Sequence, residues 1–397
     1  MEINEAKKLI INNATPIKGE KEEIVIVNAL GRICAETITS PFSVPNFPKS
    51  AMDGYAVKSS DVQTASKDNP VSLKVVDELL AGDYKQIRYE QGTAVRVMTG
   101  ALVPEGYDAV IKQEDTDYRE DIVSVYTNIE PYVNYCKVGE DIAVNETVIS
   151  PGTLITRSHI GVLASLGIEK IKVEPQPVVG VICTGSELVS LQEEPKPGQI
   201  YSSISYMLQA NLNKYDIKTK VAICSDDADL IARTITEMSE SCHIVITTGG
   251  ASVGKKDLIP DVLDSIGATK LFYRANIKPG TPTMGSVLGG TIILSLSGNP
   301  YAALCNFDYY FWDLLAHITG NSSFKSLWAK ASLADDYPKK EKTKRFLRAR
   351  LDNDQVFLSK VNKSSVISNM YDCNCYVLVD ENRTYSAGDE ADILIIK

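Results

Sequence analysis

The residues best suited to chemistry are gathered in His243-Ile244-Val245-Ile246-Thr247-Thr248-Gly249-Gly250-Ala251-Ser252-Val253-Gly254-Lys255-Lys256-Asp257. The β-branched run from Ile244 to Ile246 predicts a buried strand, followed at once by glycines and a serine. Leu258, Val262, Leu263 and Ile266 then recur at helical spacing until Gly267. A strand that hands a glycine-rich turn to a helix N-terminus exposes backbone N–H groups, and that suits an anion.

Two short motifs fit this run, and both are incomplete. Gly249-x4-Gly254-Lys255 has the spacing of a P-loop, yet Lys256 stands where a Ser or Thr hydroxyl is needed for Mg2+. Gly250-Ala251-Ser252-Val253-Gly254 matches the G-x-S-x-G elbow of serine hydrolases. A hydrolase built on Ser252 also needs a later histidine, and only His317 follows, inside an apolar helical pattern with Trp312, Leu314 and Leu315.

The elements that must position this run form a repeating strand, loop and helix pattern from residue 177 onward. Val178–Cys183, Lys220–Cys224, Ile244–Thr248, Leu271–Ile277 and Thr291–Leu296 are continuously apolar, as buried parallel strands are. Helical patterns lie around 204–214, 228–239, 258–266 and 301–318. The expected fold is a doubly wound parallel α/β domain, which binds ligands beyond the carboxyl ends of its strands. Each strand is followed by a polar or glycine-rich loop. These are Thr184-Gly185-Ser186-Glu187, Ser225-Asp226-Asp227, Gly249 to Asp257, Lys278-Pro279-Gly280-Thr281-Pro282 and Ser297-Gly298-Asn299-Pro300. Singly, they are ordinary caps and turns: Asp227 an N-cap, Lys278 a solvated charge, Pro300 a first-turn residue. Together they offer N–H groups and lysines for oxyanions, with Glu187, Asp226, Asp227 and Asp257 for Mg2+. That combination indicates a phosphate-type ligand and a divalent cation.

Composition narrows the class further. The 397 residues are 44% hydrophobic and 23% charged, with a net charge of −10. Nucleic acid and anionic membranes are therefore not expected partners. No apolar run reaches a membrane span, and Met1-Glu2-Ile3-Asn4-Glu5 does not read as a signal peptide. Eight scattered cysteines without a C-x2-C pair, and only three histidines, indicate neither zinc nor a disulfide framework. A cytoplasmic, reduced protein is the expectation.

Four regions are expected. Residues 1–45 and 145–176 read as a discontinuous helical linker module, with helical spacing at Ile3, Ala6, Leu9 and Ile10 and again at Ile160, Leu163, Ala164 and Leu166. Residues 46–144 alternate in short runs and read as an inserted β-rich domain. Its polar loops include Asp53-Gly54, Thr99-Gly100 and Gly139-Glu140-Asp141. Residues 177–326 are the α/β domain. Residues 327–397 alternate again and read as a small C-terminal β-barrel, within which the cation run Lys339 to Arg345 is a solvated strand entry on its simplest reading.

The series Ser50-Ala51-Met52-Asp53-Gly54-Tyr55-Ala56-Val57, Met98-Thr99-Gly100-Ala101, Gly139-Glu140-Asp141-Ile142, Thr184-Gly185-Ser186-Glu187-Leu188, Thr248 to Asp257, Ile277-Lys278-Pro279-Gly280 and Ser297-Gly298-Asn299-Pro300 resembles the MoeA family. These are molybdopterin molybdenumtransferases, related to the gephyrin E domain. The resemblance implies insertion of molybdate into adenylated molybdopterin, Mg2+-dependent, with release of AMP. It also implies a homodimer with the site shared across protomers. A pterin adenylyltransferase would be the donor partner, and molybdoenzymes the acceptors. Matched by position, Glu187, Asp257, Asp53 and Asp141 would be catalytic, and Glu187, Asp226 and Asp257 would hold the metal. Thr99, Thr184, Gly185, Ser186, Gly249, Gly250, Ser252, Gly254, Lys278, Gly298, Asn299 and Pro300 would bind the cofactor substrate. Two departures remove positive charge: Asn134-Tyr135-Cys136 lacks the family's Arg, and Thr281 replaces a lysine common after Lys-Pro-Gly. They support one alternative, a non-catalytic pterin-binding or scaffolding paralogue.

Overall fold

The computed structural model describes residues 1–250, 258–363 and 366–397. The chain divides into two compact units, Met1–Glu22 with Glu174–Lys397, and Glu23–Val173. Among the described residues no helix is long and apolar enough to cross a membrane. All eight cysteines are free thiols, and most are buried.

In the Glu23–Val173 unit a five-stranded sheet runs in the order Ala109–Lys112, Gly54–Val57, Thr93–Val97, Val71–Leu79, Ile122–Val125. Successive side chains of a strand point to opposite faces. Tyr55, Val57 and Ile111 accordingly fill one apolar cluster, while Ala56 and Val110 fill another. Both faces are covered, which is why these strands read as nearly continuous apolar runs. A third cluster gathers Ile26, Ile38, Ile149, Ile155, Leu163 and Val173 around the helix Arg157–Ser165. Gly167, at φ 68°, ends that helix.

The other unit is built on a six-stranded sheet. Its order is Lys218–Cys224, Val178–Thr184, Ile244–Thr248, Thr291–Leu296, Met284–Leu288, Thr269–Tyr273. The first four strands are parallel, in a register that aligns Val181 with Ile246 and Ile246 with Leu294. The helices Ser203–Asn213 and Pro300–Thr319 cover one face through Leu208, Leu212, Phe307 and Phe311. Ala228–Ser241 and Ile259–Ser265 cover the other through Ile231, Ile235, Val262 and Leu263.

Three expectations are corrected here. The sheet is not wholly parallel: Met284–Leu288, unforeseen from the sequence, runs antiparallel between two strands. Gly289 and Gly290, both at positive φ, make the tight hairpin into Thr291. The run Leu271–Ile277 is also not one strand. It splits into Thr269–Tyr273 in this sheet and Ile277–Lys278, which pairs with the C-terminal barrel. Finally, the helix Ile3–Asn13 belongs to this unit rather than to the linker module. It buries Ile3, Ala6 and Ile10 in the α/β core, and the Lys7 ammonium meets Asp313 at 2.6 Å.

The C-terminal barrel closes on five strands. Lys344–Asp352 pairs with both Gln355–Leu358 and Cys375–Val379, and the circle is completed by Leu327–Leu333 and Glu390–Ile395. Pro300–Thr319 lies between sheet and barrel and is buried almost all round. Asn299 caps it by accepting from the Ala302 N–H, and Gly320 in the left-handed region ends it.

One buried carboxyl on this helix makes stability depend on pH. Burial raises the Asp308 pKa to about 7, against the lowering effect of donations from the Trp312 indole N–H and the Tyr376 hydroxyl. The unfolded chain loses this proton near pH 4 while the folded chain keeps it, so this contribution to stability falls as pH rises between about 4 and about 7. Asp308→Asn is expected to be more stable than wild type at pH 8, by up to about 4 kcal/mol, with the gap closing towards pH 4. Urea titrations across that range check it, and a pH-independent gap would refute the assignment.

Candidate active site

Val178–Thr184, Ile244–Thr248 and Thr291–Leu296 end side by side, releasing Thr184-Gly185, Gly249-Gly250 and Ser297-Gly298-Asn299 at one sheet edge. The three backbones nearly touch. A methyl group on Gly249, whose φ is +90°, would overlap the Thr184 carbonyl oxygen, and one on Gly298 would lie 3.1 Å from the Gly249 Cα. Gly185 N–H donates to the Cys224 carbonyl at 3.0 Å. The floor of the site is therefore main chain. Cys183 beneath it accepts from the Thr248 hydroxyl at 3.1 Å, and burial pushes its thiol pKa up, so it serves as a small plug and not as a nucleophile.

Above this floor lies a cavity of about 510 Å3, the size of a small-molecule site. Thr184, Gly185, Glu187, Asp226, Gly249, Gly250, Gly298, Asn299 and Pro300 all line it, so most of the α/β residues singled out in the sequence converge. The Glu187 carboxylate folds over Gly185, and the Glu187 carbonyl accepts from Ile200 N–H at 2.8 Å. Ser186 is used differently. Its N–H donates to Asp226 Oδ2 at 3.2 Å and its hydroxyl accepts from Asp226 N–H at 3.1 Å, so it fixes the neighbouring acid. Asp227 is an N-cap, accepting from Leu230 N–H at 2.9 Å.

Lys278 stands in an adjoining cavity of about 580 Å3, together with Gly280, Tyr301, Ala302, Arg345, Asn362 and Lys363. Ser297 and Asn299 belong to both cavities. The loop bearing Lys278 is held by Asn306, which donates to the Gly280 carbonyl at 2.9 Å and to the Thr283 hydroxyl at 2.7 Å. The Thr281 hydroxyl donates back to the Ile277 carbonyl at 2.7 Å and closes the turn on itself. Arg345 and Lys363 were not foreseen as site residues. The cation run ending at Arg345 is visible in the sequence, but its pairing with Lys278 is not.

Asp53, Thr99 and Asp141 lie on the Glu23–Val173 unit. Thr99 donates to Asp53 Oδ1 from both its N–H and its hydroxyl, each at 2.7 Å. The backbone donation, followed by that of the hydroxyl, holds the Asp53 carboxyl below its usual pKa. Asp141 sits in a turn whose backbone is tied to Pro45 and Val44. Ser252, Gly254 and Asp257 lie outside the described residues, as does most of the G-x-S-x-G match.

Among the described residues no cluster of three metal-binding side chains occurs. Glu187 and Asp226 nonetheless share one cavity wall and offer the carboxylate oxygens that a hard divalent cation takes, so the donor set fits Mg2+. The hydrolase reading loses its base. His317 is exposed near the C-terminal end of a helix whose N-terminus lines the cavity, about 25 Å away at 1.5 Å rise per residue.

A four-stranded parallel core with an N–H-lined, carboxylate-flanked edge, joined to a barrel that adds cations, is the architecture of an α/β enzyme with a site suited to an anionic ligand. Similarity to known proteins narrows the class. Residues 1–167 match the MoeA N-terminal region (domain I and II), 180–317 the family described as "Probable molybdopterin binding domain", and 330–396 the MoeA C-terminal region (domain IV). The chain is 32% identical over 399 residues to the molybdopterin molybdenumtransferase of Staphylococcus aureus (strain MSSA476), covering 99% of this chain and 95% of that protein. It is 31% identical over 390 residues to that of Bacillus subtilis (strain 168), covering 96% and 91%. The crystal structure of the molybdopterin biosynthesis moeA protein from Pyrococcus horikoshii OT3 superposes with a TM-score of 0.85 at 30% identity, covering 100% of both chains. The chain belongs to the MoeA family.

Proposed function

We propose that this chain is a molybdopterin molybdenumtransferase that inserts molybdate into adenylated molybdopterin and releases AMP in a Mg2+-dependent reaction. The observation that carries the proposal is the pair of adjoining cavities meeting at Ser297 and Asn299. One has glycine N–H groups and two carboxylates, which suits phosphates with a divalent cation. The other has Lys278, Arg345 and Lys363, which suits a tetrahedral dianion.

In this reading the strand-end N–H groups orient the phosphates, and the cations of the adjoining cavity hold molybdate beside the dithiolene. Glu187 and Asp226, with Asp257, supply oxygen donors for Mg2+, which when bound neutralises charge on the bridging phosphates. Thr184, Gly185, Gly249, Gly250, Gly298, Asn299 and Pro300 form the cradle, and Ser186 keeps Asp226 in place. Asp53, Thr99 and Asp141 act as part of a cytoplasmic homodimer in which two chains complete one site.

The test is AMP release from adenylated molybdopterin, followed by chromatography with and without molybdate and Mg2+. Release that requires both, and stops when a chelator removes the metal, is the expected result. Tight pterin binding without AMP would instead identify a binding or scaffolding paralogue.

A further inference from the structure

The cation run ahead of the longest barrel strand contains a single acid, Glu341, and that acid is buried, at 4% exposure. One of its oxygens, Oε1, gathers three donors: the Tyr337 hydroxyl at 2.6 Å, Arg345 Nη1 at 3.1 Å and Lys339 Nζ at 3.0 Å. Burial alone would favour the protonated acid. The phenol, the ammonium and the guanidinium outweigh it and hold the carboxyl below its usual pKa. Glu341 is therefore a fixed negative charge whose surroundings explain its burial.

The guanidinium it holds is fixed from two other sides. Arg345 Nη2 donates to the Asn362 carbonyl at 3.4 Å, and the Arg345 backbone is the register partner of Lys278 in the short parallel pairing of Ile277–Lys278 with the barrel. Arg345 lines the same cavity as Lys278, Lys363 and the first residues of the Pro300–Thr319 helix. Its Nε–H is buried and has no acceptor among the described residues. The side chain as a whole keeps 21% exposure on the cavity wall, and its planar guanidinium is a fork that matches two oxygens of a tetrahedral oxyanion.

We propose that Arg345 is an oxyanion-binding residue of the Lys278 cavity, and that Glu341 is the positioning residue that aims it. This rests on the proposed function, in which that cavity holds molybdate. Glu341 cancels little of the attraction, because Lys339 shares its charge and Lys278 and Lys363 remain. Its contribution is direction: with Nη1 tied to Glu341 and Nη2 to Asn362, the guanidinium plane is held in place at the cavity wall.

The experiment is calorimetric titration of the full-length protein with sodium molybdate, comparing wild type, Arg345→Gln, Arg345→Lys, Glu341→Gln and the Arg345→Gln/Glu341→Gln double variant. Arg345→Gln is expected to weaken molybdate about tenfold or more, and Arg345→Lys to recover only part of that, because an ammonium cannot make the forked contact. Glu341→Gln is expected to cost about three- to tenfold alone and nothing further once Arg345 is gone. In turnover the losses fall on KM for molybdate while kcat stays within about twofold.

Wild-type affinity in a folded Arg345→Gln protein would overturn the proposal while leaving the cavity's role intact. Independent, additive losses would overturn the role of Glu341. Absence of molybdate binding by wild type would overturn the oxyanion reading of the cavity, and this proposal with it. If Glu341→Gln fails to fold, Glu341→Asp keeps the charge but withdraws the oxygen, and the same KM shift is expected.

Discussion

Glu187→Gln is expected to lower molybdate-dependent AMP release by about a hundredfold or more, the usual cost of losing a positioned acid–base or metal-binding carboxylate. Melting temperature should not fall. The distinction follows from the structure. Glu187 is exposed on the cavity wall, and its carboxylate makes no hydrogen bond or ion pair among the described residues. The fold uses its main chain, through the Ile200 N–H, and leaves the side chain to the ligand. Asp226 differs, because its carboxylate is also a structural acceptor for Ser186. Near-normal AMP release by Glu187→Gln would remove Glu187 from the chemistry.

A large loss of stability from a single methyl group is expected at Gly249. Gly249→Ala should cost on the order of 3 kcal/mol or more, because a left-handed residue is forced to carry a Cβ and that Cβ meets a backbone carbonyl. Relaxation is hard to find. The carbonyl belongs to Thr184, at the end of a strand buried on both faces, and Gly298 closes the other side. Gly267→Ala is the control. Its φ of +77° is equally unsuitable for alanine, but nothing lies within 4 Å of the new methyl, so only the conformational penalty of about 1–2 kcal/mol remains. Urea denaturation of the two variants side by side measures the difference. Equal losses would mean that the three strand ends are not in contact as described.

The parts of this protein that were legible in its sequence are those written locally. Four β-branched runs, each ending in Gly, Ser/Thr or an acid, gave the parallel core and the edge to which Thr184, Glu187, Gly249 and Gly298 converge. The helix at 301–318 was visible from its capping residues Asn299 and Pro300 as much as from its apolar pattern. What escaped is written in pairings between distant segments. Met284–Leu288 is short, and its Gly289-Gly290 hairpin signal is embedded in what reads as a uniform strand and helix alternation. Ile3–Asn13 has an ordinary amphipathic pattern that does not say which core it covers. Arg345 looked like one more solvated cation, because neither Glu341 beneath it nor Lys278 beside it can be inferred from spacing.

The two-residue strand Ile277–Lys278 bears on how this architecture can be inherited. It leaves the α/β sheet and takes its partner, Lys344–Arg345, from the barrel. A recombination event that exchanged the barrel would therefore exchange one wall of the Lys278 cavity, and with it Arg345 and Lys363, two of the three cations that line it. Sheet and barrel can drift in their cores separately, but at this seam they must change together. The C-terminal barrel is for that reason tied to the α/β sheet at this cavity, and a poor candidate for shuffling as an independent module.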